Sequence, residues 1–416
     1  MVWKTDKDSK CTLIKGACKI YYMDKYKVKL EKCQGDSEKI LSLELSDKFG
    51  DKKKYNEVLS SSYMRISTNR VTGEISDKDF RKWKRVNDCA CFLEFGKPLD
   101  SNEKWKLQKA NFCRDRLCPV CGWRRSLKIF SHVSQIMNVV QNDYQFLFLT
   151  LTVPNCKPEE LNDTITALMS GFNRFIQYKR IKTAVKGFFR CLEITRNMDY
   201  WTVKYYKDKD GKKKKKLVFD ENGKKIPNPY YKTYHPHFHV ILAVSKDYFN
   251  KYYIKQDEWL NLWRKAMKND KITSVDIRTC KSSQELSVGA ECVQELTEYN
   301  NILLGKAVAE VAKYTVKGSD FLFKDDNKLT DENVSVYSKA LYHRRLTAFG
   351  GVFDDVLKKL QLDDCEDGDL IHVSGENIRS DVGYMIRRFS WSCGAYKMID
   401  NIVIEPAIDE GVQLTF

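Results

Sequence analysis

No stretch of this 416-residue chain approaches the roughly 20 consecutive apolar residues that a membrane-spanning helix requires, which argues against a helical membrane protein. The most apolar run, residues 146–153, has only the length of a strand. The start, Met1-Val2-Trp3-Lys4-Thr5-Asp6, lacks the apolar core of a signal peptide, so the expectation is an intracellular, cytoplasmic protein. No internal repeat is found, which sets aside solenoids and propellers. Acidic residues are in deficit: 56 Asp+Glu stand against 72 Lys+Arg, a formal net charge of +16. Such a balance favours polyanions, of which nucleic acid is the commonest. Histidine is scarce too, with six in all, and its distribution is uneven.

Three of the six fall within five residues, in Tyr234-His235-Pro236-His237-Phe238-His239-Val240-Ile241-Leu242. On a β-strand, side chains two apart share a face. His235, His237 and His239 therefore line one face, while Phe238, Val240 and Leu242 line the other. Imidazoles on one face of a strand whose opposite face is buried make a rigid half of a divalent-metal site.

The surrounding periodicity predicts a strand–helix pattern. Gln145–Val153 reads as a strand, and Pro158-Glu159-Glu160 opens a helix with Leu161, Ile165, Leu168 and Phe172 on its apolar face. Gly187–Thr195 and His235–Ala243 follow as strands, Asp257–Met267 as a helix and Ile272–Thr279 as a strand. The order βαββαβ predicts an α+β, ferredoxin-like domain: an antiparallel sheet with both helices on one face and the other face, with the histidines, left free. We divide the chain into a basic N-terminal segment, 1–80, a cysteine-rich module, 81–135, this α+β domain, 136–320, and a C-terminal region, 321–416, of no assigned role. Residues 198–234 form an insertion with 11 Lys against 5 Asp/Glu, interleaved with aromatics. Lys212, Lys213, Lys214, Lys215 and Lys216 are its candidate DNA contacts, since phosphates meet lysines and unpaired bases stack on rings.

Fourteen cysteines in an intracellular chain should be reduced, so a tight cluster reads as metal ligation. Cys118-Pro119-Val120-Cys121 has the knuckle spacing that lets two thiolates hold one tetrahedral Zn²⁺. Cys113 supplies a third ligand. Cys89 or Cys91 supplies the fourth, and Cys89 is taken. Arg114, Arg116, Arg124 and Arg125 set positive charge on this module, and Arg124 and Arg125 are expected at phosphates.

A hard cation needs oxygen as well as imidazole. Glu193, in Arg190-Cys191-Leu192-Glu193-Ile194-Thr195, points away from Leu192 and Ile194 and toward the histidine face if the two strands are neighbours. Downstream, Asn301–Lys317 reads as a helix in which Glu310 and Tyr314 lie four apart on one face. Histidines, a carboxylate and a Glu-x-x-x-Tyr helix point to attack of the Tyr314 phenol on a phosphodiester polarised by Mg²⁺ or Mn²⁺.

These segments carry a resemblance. His237-Phe238-His239 matches the His-hydrophobe-His signature of the HUH endonucleases. With Asn111–Arg125, Phe148–Thr152, Leu192–Thr195 and Glu310-Val311-Ala312-Lys313-Tyr314 in the same order, the chain resembles the single-tyrosine rolling-circle replication initiators of small Gram-positive plasmids. The resemblance spans roughly residues 80–350. It implies that His237, His239 and Glu193 hold the catalytic metal, with His235 behind them or as an alternative ligand. It implies further that Tyr314 nicks one strand at the double-strand origin and keeps the 5′ phosphate, and that Glu310 helps finish the cycle. A host helicase and polymerase are implied as partners, beside double- and single-stranded DNA. Two other readings compete: an HUH-type transposase, and a non-catalytic zinc-dependent DNA-binding regulator.

Overall fold

The computed structural model describes residues 28–30, 36–69, 72–99, 104–209, 213–280, 308–309, 311–312, 316–373 and 383–405. Period-two alternation builds a five-stranded antiparallel sheet. Its order is Thr347–Gly351, Val185–Arg196, Tyr234–Ser245, Tyr144–Thr152 and Val275–Thr279. Four of these are the expected strands, with ends shifted by up to three residues. The helices Leu161–Phe175 and Gln256–Met267 lie between them in sequence, as the 3.6-residue periodicity predicts.

Both helices pack on one face. Phe172 meets the Phe238 ring at 5.4 Å, Phe175 meets Trp263 at 5.5 Å, and the Trp263 Nε1–H donates to the Thr152 carbonyl at 2.8 Å. Leu147, Leu149, Leu151, Leu192, Ile194, Phe238, Val240 and Leu242 supply the sheet side of this core. The opposite face departs from expectation, because it is not free. The helix Pro119–Val140 lays Phe130, Val133, Ile136 and Met137 across Phe146, Phe148, Phe189, Ile241 and Ala243, and Phe353 of the helix Val352–Lys359 joins them. The cover reaches the histidines, with Phe148 of this core 5.4 Å from the His239 ring and both His237 and His239 buried. The alternation could not reveal this, since Ile241 and Ala243, on the histidine face, read equally well as half-exposed.

A second antiparallel sheet joins the two ends of the chain. Its order is Val28–Leu30, Ala395–Ile404, Tyr384–Ser392, Phe92–Pro98 and Lys106–Ala110. Buried Glu94 holds it together, accepting from Arg388 Nε at 2.7 Å and from Lys109 at 3.2 Å. The long helix Asp36–Ser67 packs beside it and also against the helix Asn327–Ala340, where Arg65 and Ser62 both donate to Asp331.

The acidic loop Asp363-Asp364-Cys365-Glu366-Asp367-Gly368-Asp369 closes over the basic side of Pro119–Val140. Arg124 donates to the carbonyls of Leu370 and Ile371, Arg125 to that of Glu366, and Lys128 pairs with Asp363. Buried Glu366 accepts from the backbone of Leu346 and Thr347 and from Arg116, so the loop ties this helix to the edge strand of the sheet. His132 is buried beneath the loop, its Nδ1 3.2 Å from Cys365 Sγ.

This burial has a consequence for pH dependence. Desolvation first, and the Lys128 charge second, lower the His132 imidazole from an ordinary 6.5 to about 4. Between those values the unfolded chain binds a proton that the folded chain refuses. Stability present in full above pH 6.5 is therefore lost as the pH falls toward 4, by about 3 kcal/mol for this group. Urea denaturation across that range should show the loss in the wild type, and His132→Asn should reduce it, leaving the share of His235, which burial also lowers to about 4. An unchanged slope in the variant would assign the loss to other groups.

Candidate metal centre and nucleic-acid interface

The histidine strand sits between two hydrogen-bonded neighbours. On one side its register sets His237 opposite Glu193 and His239 opposite Cys191. On the other it sets His237 opposite Thr152 and His239 opposite Thr150. Glu193 therefore reaches both imidazoles, with its Oε2 2.6 Å from His239 Nε2 and 3.4 Å from His237 Nε2. The three ligand atoms lie within 4.8 Å of one another, as a single ion would require.

The second nitrogen of each ring is occupied. His237 Nδ1 lies 3.0 Å from the His235 carbonyl, and His239 Nδ1 lies 3.4 Å from Thr150 Oγ1. Both Nε2 atoms are thereby turned toward Glu193, where a bound cation would take their lone pairs in place of these hydrogen bonds, the arrangement in which ligating histidines are held by outer partners. Burial alone would raise the Glu193 carboxyl, but hydrogen bonds to His237 and His239 hold it well below the usual carboxylate range. The donor set of two imidazoles and a carboxylate fits a divalent cation. The His235 ring stands outside the cluster, stacked on His237 at 5.2 Å and with its pKa lowered to about 4 by burial and by His237.

Thr150 escaped the sequence reading. Its signal lay in Phe146, Phe148, Thr150 and Thr152, which share one face and turn from apolar to polar where the histidines begin.

The edge strand Thr347–Gly351 pairs with Gly187–Cys191 and stops before Glu193. Glu310 and Tyr314 lie outside the described residues, as does most of the helix expected over 301–317. Of that segment residues 308–309, 311–312 and 316–317 are described, the Ala312 N–H donating to the Val308 carbonyl at 2.9 Å and Val311 lying between them in sequence. All three are buried in the core on the histidine face, beside Cys191 and Ile241.

The four cysteines converge. Cys89, Cys113, Cys118 and Cys121 are all buried with their sulfurs within 4.8 Å of one another. The Cys89–Cys121, Cys113–Cys121 and Cys89–Cys118 separations are 3.6, 3.7 and 3.6 Å. A tetrahedral ion with bonds of ~2.3 Å would set its sulfurs ~3.8 Å apart, so the cluster fits zinc closely. Backbone N–H groups of Cys113, Arg114 and Asp115 point at the sulfurs of Cys89, Cys121 and Cys113, and Asn56 Nδ2 at Cys118. Arg114 takes a left-handed φ of 59° at this knuckle turn. Cys118 caps the helix Pro119–Val140, so two sulfurs also sit at the positive end of its dipole. Cys91 turns away, toward the Asn87 carbonyl.

The expected phosphate contacts divide. Arg124 and Arg125 are only 7% and 8% exposed and are bonded to backbone carbonyls, so they hold the acidic loop and are not open to phosphate. In the insertion, Val203–Lys207 and Lys213–Leu217 form a two-stranded hairpin. Lys214, Lys215 and Lys216 are exposed on it, with Lys214 paired to Asp208 and Lys215 to Asp199. Lys212 and the Lys213 side chain lie outside the described residues. No helix among the described residues is long and apolar enough to cross a membrane.

Comparison with known proteins places these sites in context. Residues 104–397 match the family described as "Replication protein". The chain is 39% identical over 302 residues to "Protein rep" of Bacillus amyloliquefaciens, covering 71% of this chain and 78% of that protein. It is 33% identical over 290 residues to "Protein rep" of Staphylococcus aureus, covering 68% and 98%. A "Protein rep" of Streptococcus pneumoniae is 33% identical over 303 residues, covering 71% and 77%. No solved structure matches the chain.

The geometry separates ligands from supports. Calorimetric titration with Mn²⁺ should show Glu193→Ala, His237→Ala and His239→Ala each losing about 100-fold or more in affinity. His235→Ala keeps the backbone carbonyl that holds His237, so its loss should stay within about ten-fold. A His235 variant as weak as the other three would make His235 a direct ligand.

Proposed function

Since the chain belongs to the Replication protein family, whose plasmid initiators its motifs resemble, we propose that it starts rolling-circle replication by nicking one DNA strand at an origin. The observation that carries this reading is the Glu193–His237–His239 cluster, its outer nitrogens already engaged, on the sheet face opposite the helices Leu161–Phe175 and Gln256–Met267. The strand order, with the histidine strand between the first and second strands of a βαββαβ unit, supports a ferredoxin-like HUH nuclease domain.

Mg²⁺ or Mn²⁺ held by these three residues would supply a Lewis acid for a phosphodiester oxygen. Tyr314 is the proposed nucleophile. Its phenol oxygen forms the bond to phosphorus, the 3′-oxygen leaves with the electron pair and takes up a proton, and the 5′ phosphate stays on the tyrosine. Burial of Ala312 on the histidine face supports this assignment, because two residues of chain reach at most about 7 Å further. Glu310 is proposed to activate the water that closes the cycle. The four-cysteine cluster would hold a structural Zn²⁺ that fixes the module against the sheet. The freed 3′-OH would then prime synthesis by a host polymerase, with a host helicase opening the duplex in the cytoplasm.

Incubation with a single-stranded origin oligonucleotide and Mn²⁺ should give a covalent protein–DNA adduct on a denaturing gel. Tyr314→Phe should lose it while binding persists. Glu310→Ala should keep the first adduct but fail to release protein after one round. DNA binding with no adduct from the wild type would favour a non-catalytic regulator.

Freshly purified protein should carry about one zinc per chain. A chelator that spares Mg²⁺ should then open residues 89–121 to hydrogen exchange, since a structural zinc contributes directly to folding. Metal analysis that finds no zinc would end this part of the proposal.

A further inference from the structure

The hairpin in the insertion has no structural reason to look as it does. Its two strands pair Lys204 with Lys216, Tyr205 with Lys215 and Tyr206 with Lys214, and each of these six side chains is exposed. A two-stranded ribbon is marginal on its own, and like charges directly opposite one another weaken it further. Tyr205 is 63% exposed and Tyr206 45%. A ribbon that buries so little, and sets Lys204 directly opposite Lys216, would gain stability from a polyanion.

Alternation sorts its two faces. Tyr205 and Lys215 share one face, and both are tied to Asp199, at 3.3 and 2.5 Å. Lys204, Tyr206 and Lys216 share the other with Lys214, and only Lys214 has a carboxylate there, Asp208 at 3.0 Å. Among the described residues Lys204 and Lys216 face each other across the ribbon with no acidic partner. That face therefore combines uncompensated charge with an open ring, which suits a phosphate backbone with an unpaired base stacked beside it. A duplex could use the lysines, but its bases are already stacked and would leave the ring idle.

The hairpin is also placed to matter. The ladder that pairs Glu193 with His237 continues through Thr195 with His235 and Arg196 with Tyr234, and the Asn197 N–H then donates to the Thr233 carbonyl. The insertion thus leaves the sheet four residues from the metal-binding pair, roughly 13 Å along the strand.

We propose that the Lys204–Tyr206–Lys216 face of this hairpin binds single-stranded DNA flanking the scissile phosphate and guides it to the Glu193–His237–His239 site. This rests on the nicking reading for its destination, but the binding surface stands on the hairpin alone. Fluorescence anisotropy of the full-length protein with labelled oligodeoxythymidylate, without added divalent cation, tests it. Replacing both Lys204 and Lys216 with Ser should lower the dependence of log affinity on log salt by about 1.4, close to 0.7 per single-strand phosphate contact. Tyr206→Ala should weaken binding about five-fold or more with the salt slope unchanged, and Tyr206→Phe should restore it. The same oligonucleotide annealed to oligodeoxyadenylate should be insensitive to Tyr206→Ala.

A wild-type salt slope in the double lysine variant overturns the proposal. So does an equal effect of Tyr206→Ala on single strand and duplex, which would make the hairpin a duplex surface. Because no bond is cut, the result is independent of cleavage. Wild-type protein that binds through the hairpin yet forms no adduct with Mn²⁺ would sink the nicking reading and leave this one standing.

Discussion

Tyr234–Ser245 is hydrogen-bonded along both edges, to Val185–Arg196 on one side and Tyr144–Thr152 on the other, and that double ladder decides which way each histidine points. A slip of one residue would turn the imidazoles into the Phe172 and Trp263 core and push Phe238 and Val240 outward. The apolar face forbids the slip, so the same residues that stabilise the sheet also aim His237 and His239. Glu193 and Thr150 inherit their positions from the same register. The candidate centre is thus a property of three paired strands, and no loop is needed to hold its three ligands.

The two clusters of metal-binding character are neighbours. A cavity of about 40 Å³ is lined on one side by Cys118, Pro119 and Arg125 and on the other by Cys191 and Thr347. Cys118 belongs to the four-sulfur cluster, and Cys191 lies opposite His239. The helix Pro119–Val140 starts at the sulfurs and runs across the histidine face, so its N-terminal geometry is transmitted to the sheet. The acidic loop locks that helix from above through Arg124, Arg125 and Lys128. Such buried charges are costly to hold unless fully partnered, and here the partners come from a segment far along the chain.

Strong periodicity made the central sheet legible. Phe146–Thr152 and the histidine strand are apolar runs of strand length that alternate only at their Thr and His ends, and the helices 161–175 and 256–267 present apolar stripes. The cysteine ligands were legible because their spacing is local, although only tertiary structure separates Cys89 from Cys91. Arg124 and Arg125 misled because basic residues near a zinc-type knuckle look the same in sequence whether they meet phosphate or a distant carbonyl. The second sheet was invisible for a related reason. Its strands Tyr384–Ser392 and Ala395–Ile404 are only half-buried, mixing Arg, Ser, Lys and Asp with apolar residues, and their partners lie at the other end of the sequence.

That topology governs the order in which the molecule can be made. Glu94 and its partner Arg388 are 294 residues apart, and Phe92–Pro98 gains a neighbour on its second edge only from Tyr384–Ser392. At about 5–20 residues per second, a nascent chain carries that strand with an unpaired edge for roughly 15–60 s. During this interval the four cysteines are already outside the ribosome and close in sequence, so they can gather before the sheet beside them exists. The Tyr396 hydroxyl, which donates to the Ala90 carbonyl next to Cys89, arrives 306 residues after the group it bonds. Until Tyr384–Ser392 is made, Phe92–Pro98 therefore presents an open strand edge beside the cysteines.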